Sequence, residues 1–159
     1  MNKKLFNIRN ASFDDVSDIC KLSEELGYKS SEYEIRERLS SILNSNDHLV
    51  LVAFLSNRKV VGWIHLFEAQ RIESGKFAEI CGFVVAKEYQ NLGIGKKLLK
   101  AAEEWTLKRN LPKLRVRSNT EREDAKKFYS KMGFSITKKQ RVFDKIGELN
   151  FEHPIKDRG

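Results

Sequence analysis

The chain has 159 residues, 40% of them hydrophobic, and its 30 basic residues against 22 acidic ones give a formal net charge of +8. That size suits a single domain over residues 1–159 with a proper core. The basic residues are scattered among acidic ones without a dense basic block or interleaved aromatic platform, so nucleic-acid binding is not expected.

Cys20 and Cys81 are too far apart for a metal knuckle or a redox pair. Both read as small core residues of a reduced, cytoplasmic protein. The first residues, MNKKLFNIRNA, hold neither a sustained apolar signal segment nor a span of about 20 apolar residues, and no membrane attachment is expected.

Leu5 to Arg9 alternates apolar and polar residues as a strand does. Ser12 with Asp15 forms a capping-box pattern, and Val16, Ile19, Cys20, Ser23 and Leu26 mark one face of a first helix that Gly27 ends. Ser31 with Glu34 repeats the cap, and Ile35, Leu39, Ile42 and Leu43 form the stripe of a second helix. His48 to Leu55 and Val60 to Gln70 read as an antiparallel hairpin about Ser56-Asn57-Arg58-Lys59. Arg71 to Lys76 turns the chain into a third strand of this meander, Phe77 to Val85 (FAEICGFVV).

Gln90-Asn91-Leu92-Gly93-Ile94-Gly95-Lys96 follows, between that strand and a long amphipathic helix carrying Leu98, Leu99, Ala102 and Trp105. Such a loop leaves backbone N–H groups unpaired at the positive end of a helix dipole, and Gly93 and Gly95 let an anion approach the main chain. It suits a pyrophosphate. No Gly-Lys-Ser/Thr or G-x-G-x-x-G follows, which removes the main support for ATP hydrolysis and NAD binding. Lys96 and Lys97 are candidate cations for the ligand and equally candidates for a solvated helix surface.

The helix is expected to end near Asn110, with a strand at Leu114 to Arg117 and a short helix carrying Ala125, Phe128, Tyr129 and Met132. A strand pair is expected at Phe134 to Thr137 and Arg141 to Phe143, after which the polar last residues fray. The fold class is thus mixed α/β, helices packed on a predominantly antiparallel sheet.

The order FAEICGFVV, QNLGIGKKLL, LRVRSN and AKKFYSKMGF resembles the GCN5-related N-acetyltransferase superfamily, most strongly over residues 77–143. Its Q/R-x-x-G-x-G/A cradle is matched by Gln90, Gly93 and Gly95. The resemblance implies acetyl-coenzyme A as cosubstrate, no metal, and a central sheet splayed beside the Leu114 to Arg117 strand. The pyrophosphate would lie on the loop amides from Gln90 to Lys96. The pantetheine arm would pair with exposed main chain of Val84 and Val85, next to Phe83. Asn119 would bind that arm or order its loop, or else cap the following helix.

The implied chemistry is direct transfer of the acetyl group to an amine. Glu79 is the leading candidate base, since it interrupts an apolar strand and shares alternating parity with Cys81, Phe83 and Val85; a solvated carboxylate is the plainer alternative. His65 is a second candidate. A backbone N–H of Val84 or Val85 would stabilise the oxyanion. Tyr129 would protonate the departing thiolate, although its spacing also fits a core tyrosine. The acceptor would be a primary amine of a small molecule or a protein, and a homodimer is compatible with the resemblance. A non-catalytic acyl-coenzyme A-binding regulatory module is the competing function, separable by hydrolysis-corrected turnover with a panel of amines.

Overall fold

Three apolar runs with β-branched and aromatic residues become the long strands of a five-stranded sheet. The structure, a computed structural model, describes residues 6–147. The elements are β1 (Phe6–Asn10), α1 (Val16–Glu25), α2 (Glu32–Leu43), β2 (His48–Leu55), β3 (Val60–Arg71), β4 (Gly75–Val85), α3 (Ile94–Lys108), β5 (Leu114–Val116) and α4 (Glu123–Lys131). The sheet runs β1-β2-β3-β4-β5, antiparallel except for the last pair. β5 is parallel to β4 because α3 lies between them in sequence and carries the chain back along the sheet. This is the mixed α/β, mostly antiparallel open sheet that the sequence implies.

Internal contacts divide the chain into two compact units, one ending at Arg117 and the other beginning at Ser118. The first holds the whole sheet and α1 to α3. Ser12 and Ser31 each accept a backbone N–H in the helix turn they open, and Asp15 and Glu34 bond back to them, so both expected capping boxes form. Asp15 is also held bidentately by Arg9 at 2.8 Å, which ties the entry of α1 to β1.

Helix α3 buries Ile94, Leu98, Leu99, Ala102 and Thr106 against the sheet. Ile94 reaches β3 at Gly62, where a Cβ would stand 3.5 Å from its methyl, and Lys97 lies over the Phe6 ring of β1. Arg9 is on the opposite parity of β1 from Phe6, so α3 and the start of α1 take opposite faces of the sheet. The core is centred on Val52, Val61, Ile64, Leu66, Phe77, Leu98 and Leu99. Fully burying one such side chain contributes about 1.5–3 kcal/mol.

Two sequence expectations for β4 fail for one reason. Leu66 pairs with Ile80, but His65 pairs with Gly82, so Cys81 is an extra residue, a β-bulge. The bulge shifts the alternation by one: Glu79 shares its face with Gly82 and Val84, not with Phe83 and Val85. Cys81 is exposed instead of being a core residue, whereas Cys20 is buried as expected. Although the residue as a whole is exposed, its sulfur is partly desolvated, and this, with the neighbouring Glu79, pushes the thiol up to about 11, so it stays protonated near neutrality.

In the second unit α4 forms as expected, but the strand pair at Phe134 to Thr137 and Arg141 to Phe143 does not. Among the described residues 134–146 no strand is present, and Ile136, Val142 and Phe143 are exposed. An isolated strand pair is marginal in water, and Lys138, Lys139 and Arg141 place like charges in this one. Leu5 and the fraying last residues lie outside the described residues.

The indole of Trp63 lies across Gly82, where a Cβ would meet its ring carbons at 2.5 and 2.6 Å. Gly82→Ala is therefore expected to displace the ring and to cost about 1–3 kcal/mol, read by chemical denaturation with tryptophan fluorescence as the probe. An unchanged midpoint and emission spectrum would show that the indole does not rest on Gly82.

Candidate functional site

The parallel ladder between β4 and β5 is three residues long, from Ala78↔Leu114 to Ile80↔Val116. β4 runs on to Val85 with β3 still beside it. The sheet thus opens along the last part of β4, next to the loop that enters α3. Ala86 N–H donates to Val61 O at 2.8 Å, and in an antiparallel pair hydrogen-bonded residues alternate. Val84 is therefore turned by its main chain toward Trp63 of β3, and its side chain is buried. Val85 directs its main chain away from β3. Of the two residues expected to pair with a pantetheine arm, Val85 has the right orientation and Val84 does not.

A single 3-10 turn at Lys87–Tyr89 leads into the loop. Gln90 folds back and its Nε2 donates to Val85 O at 3.0 Å, so this side chain orders the junction of strand and loop. Asn91 and Gly93 take positive φ, 65° and 90°. Gly93 is the N-cap of α3 and supplies no side-chain cap. The N–H groups of Ile94, Gly95 and Lys96 have no preceding helical turn to bond to, and they face outward at the positive end of a 15-residue helix. Leu92 and Lys96 are exposed, while Ile94 is buried and anchors the turn. Lys97 has its own contact over Phe6, which favours a surface role for it. Gly95 lies within the first helical turn, so the positive φ that the loop needs comes from Asn91 and Gly93.

Glu79 is mostly buried and ion-paired. Its Oε2 accepts from Arg117 Nε at 2.9 Å, Arg71 Nη2 stands 3.9 Å from Oε1, and Oε1 has no hydrogen-bond partner among the described residues. In place of a solvated carboxylate, the structure has one with Oε2 bonded to Arg117 and Oε1 buried without a hydrogen-bond partner among the described residues. Of the two cations on Glu79, Arg117 is signalled in the sequence by the i, i+2 arginines of LRVR, whereas nothing in the sequence marks Arg71. His65 stacks on His48, with Nε2 2.9 Å from His48 Nδ1, and burial with the neighbouring His48 pushes it down to about 4. So low a value makes it a poor proton acceptor at neutral pH.

In the second unit, Asn119 Oδ1 accepts the Glu121 N–H at 2.9 Å and forms a local turn. The N-cap of α4 is Arg122, so Asn119 orders its loop and does not cap the helix. Tyr129 packs edge to face with Phe128 and Phe134. Burial pushes its phenol up to about 12 against a smaller opposing effect of Arg122, so it retains its proton throughout the neutral range. Among the described residues no three His, Cys, Asp or Glu side chains gather to hold a metal.

The model of the acetyltransferase (GNAT) family matches residues 5–134. The chain belongs to this family. Its fold is also that of solved N-acetyltransferases at low identity. The aminoglycoside 6'-N-acetyltransferase AAC(6')-Ih of Acinetobacter baumannii is 19% identical, covers 88% of this chain and 97% of its own, and superposes with a TM-score of 0.78. Glucosamine-6-phosphate N-acetyltransferase of Arabidopsis thaliana is 20% identical, with 87% and 97% covered and a TM-score of 0.77. AAC(6')-Iy, solved with a bisubstrate analogue of coenzyme A, is 15% identical, with 88% and 97% covered and a TM-score of 0.78. No curated protein matches the sequence. No helix of this acetyltransferase-family chain is, among the described residues, long and apolar enough to cross a membrane.

The buried His65 gives a pH signature. Above pH 6.5 it is neutral folded or unfolded; as the pH falls from 6.5 toward 4 only the unfolded chain takes up the proton. Stability is expected to fall across that window by at most about 3 kcal/mol, and His65→Gln to remove that part of the slope. Urea denaturation at pH 7 and pH 4.5 measures it, and an identical slope in parent and variant would assign the acid sensitivity elsewhere.

Proposed function

We propose that this protein transfers the acetyl group of acetyl-coenzyme A directly to a primary amine of a small molecule or a protein. The observation that carries the reading is the adjacency of an uncapped α3 N-terminus to a strand that outlasts its β5 ladder. The outward N–H groups of Ile94, Gly95 and Lys96 fit a pyrophosphate, and the outward main chain of Val85 fits an amide-bearing arm. The AAC(6')-Iy complex supports the choice of coenzyme A as ligand.

The cosubstrate supplies an activated thioester; the chain must provide an amine free of its extra proton and a place for developing negative charge. Glu79 is the proposed proton acceptor, through Oε1, while Arg117 fixes the carboxylate by Oε2. A fixed N–H aimed at the developing charge is a large contributor to catalysis, and the outward N–H of Val85 is the proposed donor. Tyr129 is the proposed proton donor to the leaving thiolate; burial keeps its phenol protonated and at the same time makes it a weak acid, in keeping with the modest effect expected of its loss. We place the activity in the cytoplasm, in keeping with two unpaired cysteines.

Gly95→Val is expected to abolish or strongly weaken coenzyme A binding in a folded protein, because a branched side chain would crowd the amides of the first turn. Calorimetry reads this, and an unchanged affinity would reject the cradle.

Glu79→Gln is expected to lower turnover about 10- to 1,000-fold, most where the amine is largely protonated, with coenzyme A affinity much less affected. Tyr129→Phe is expected to cost about ten- to a hundredfold in turnover while keeping the ring packing. Steady-state rates across pH with a reactive amine decide both. Parent-like profiles would leave Glu79 as the counter-ion of Arg117 and Tyr129 as a packed tyrosine.

A further inference from the structure

Elsewhere in the first unit the cations of the ion-pair network have acids to match. Arg9 has Asp15, and Arg109 and Lys76 share Glu68, with Asp47 also on Arg109. Around Phe77 the balance differs. The ring is fully buried, and Arg71, Lys113 and Arg115 stand with their charged groups 5.6, 4.9 and 4.8 Å from its centroid. All three charges therefore lie within roughly one Debye length of one another.

Glu79 is the one carboxylate paired into this group among the described residues, and it is already bonded to Arg117. Neither Lys113 nor Arg115 has an acidic partner there. Like charges gathered this closely repel, and attraction to the aromatic ring offsets only part of that. The cluster is also reachable: Arg71 and Arg117 are 42% and 43% exposed, and Lys113 is exposed.

Its position is what gives it a use. Phe77 and Glu79 are two residues apart on β4 before the bulge, on the same face, about 6–7 Å apart along the strand. Arg115 is the register partner of Glu79 on β5. An anion held by Lys113, Arg115 and Arg71 would thus lie about one side-chain length from the Glu79 carboxylate, whose Oε1 is buried beneath these cations without a hydrogen-bond partner among the described residues.

We propose that this cluster is an acceptor subsite, and that the acceptor, given the amine acetylation proposed above, is a small primary amine that also carries an anionic group, a phosphate monoester or a carboxylate, about 6–10 Å from its nitrogen. The guanidinium of Arg115 matches either group with two parallel hydrogen bonds.

Two measurements test it. Inorganic phosphate is titrated into the protein saturated with coenzyme A, followed by NMR at the amides of residues 77–79 and 113–117, in the parent, Arg115→Gln and Lys113→Gln. Saturable shifts that weaken at least about fivefold in both variants, without loss of fold, are expected; no shifts, or shifts unaltered by the variants, would overturn the subsite whether or not the protein turns out to acetylate amines. In the second, kcat/KM is measured for matched amines bearing a phosphate, a carboxylate or a hydroxyl. Preference for a charged acceptor is expected, with the anionic-to-neutral ratio falling about 10- to 100-fold in Arg115→Gln through KM, the size of a lost hydrogen bond between charged groups. The favoured acid distinguishes phosphate from carboxylate. Equal use of charged and neutral amines by the parent would overturn the acceptor assignment, while failure of every amine together with intact phosphate binding would fault the catalytic reading and not the anion site.

Discussion

β4 keeps β3 beside it from Gly75 to Val85 but β5 only from Ala78 to Ile80, and this inequality of ladders governs what the protein can present to a ligand. A strand inside a closed sheet has its main chain used on both sides. Here the chain leaves β4 into α3 just where the second partner is gone, so the outward main chain of Val85 and the unpaired N–H groups of Ile94, Gly95 and Lys96 lie in succession. Gln90 makes the junction definite by bonding to Val85 O. Gly93, at φ 90°, makes the turn into the helix without a Cβ in the way.

The bulge at Cys81 is the second consequence of the same strand. By adding one residue it turns Glu79 toward the face that carries Trp63, His65 and Phe67, and there it meets Arg71 and Arg117. A carboxylate so placed serves as counter-ion to a dense group of cations, and its buried Oε1, unpartnered among the described residues, is the atom the proposed chemistry uses. Positive charge is thus concentrated at two places on the first unit, the amides of the α3 N-terminus and the side chains around Phe77. Both fit anionic groups, one proposed for the cosubstrate and one for the acceptor.

Much of this was legible in the residues because local signals acted alone. The capping boxes at Ser12 and Ser31, the α3 stripe of Leu98, Leu99 and Ala102, and the glycine loop depend on neighbours within one or two turns. The failures came where a tertiary choice intervened. Alternation across FAEICGFVV put Glu79 with Val85, and a single bulged residue reversed it; nothing in the strand marks Cys81 as the extra residue except the adjacent Gly82, whose missing side chain admits the Trp63 ring. The orientation of Val84 followed from the β3 ladder, which pattern alone does not reveal. His65 reads as a candidate base in the sequence, but it stacks on His48, 17 residues away, and burial there makes it a poor proton acceptor. The pairing expected after α4 rested on apolar residues that remain exposed in the structure.

The central claim, that the main chain at the end of β4 and the start of α3 receives coenzyme A, is tested most directly by amide hydrogen exchange with and without saturating coenzyme A. The account predicts slowed exchange at Val85, Ile94, Gly95 and Lys96, with Val84 unaltered because its N–H is already committed to β3. Protection confined to other segments, or none under conditions where calorimetry detects binding, would contradict it.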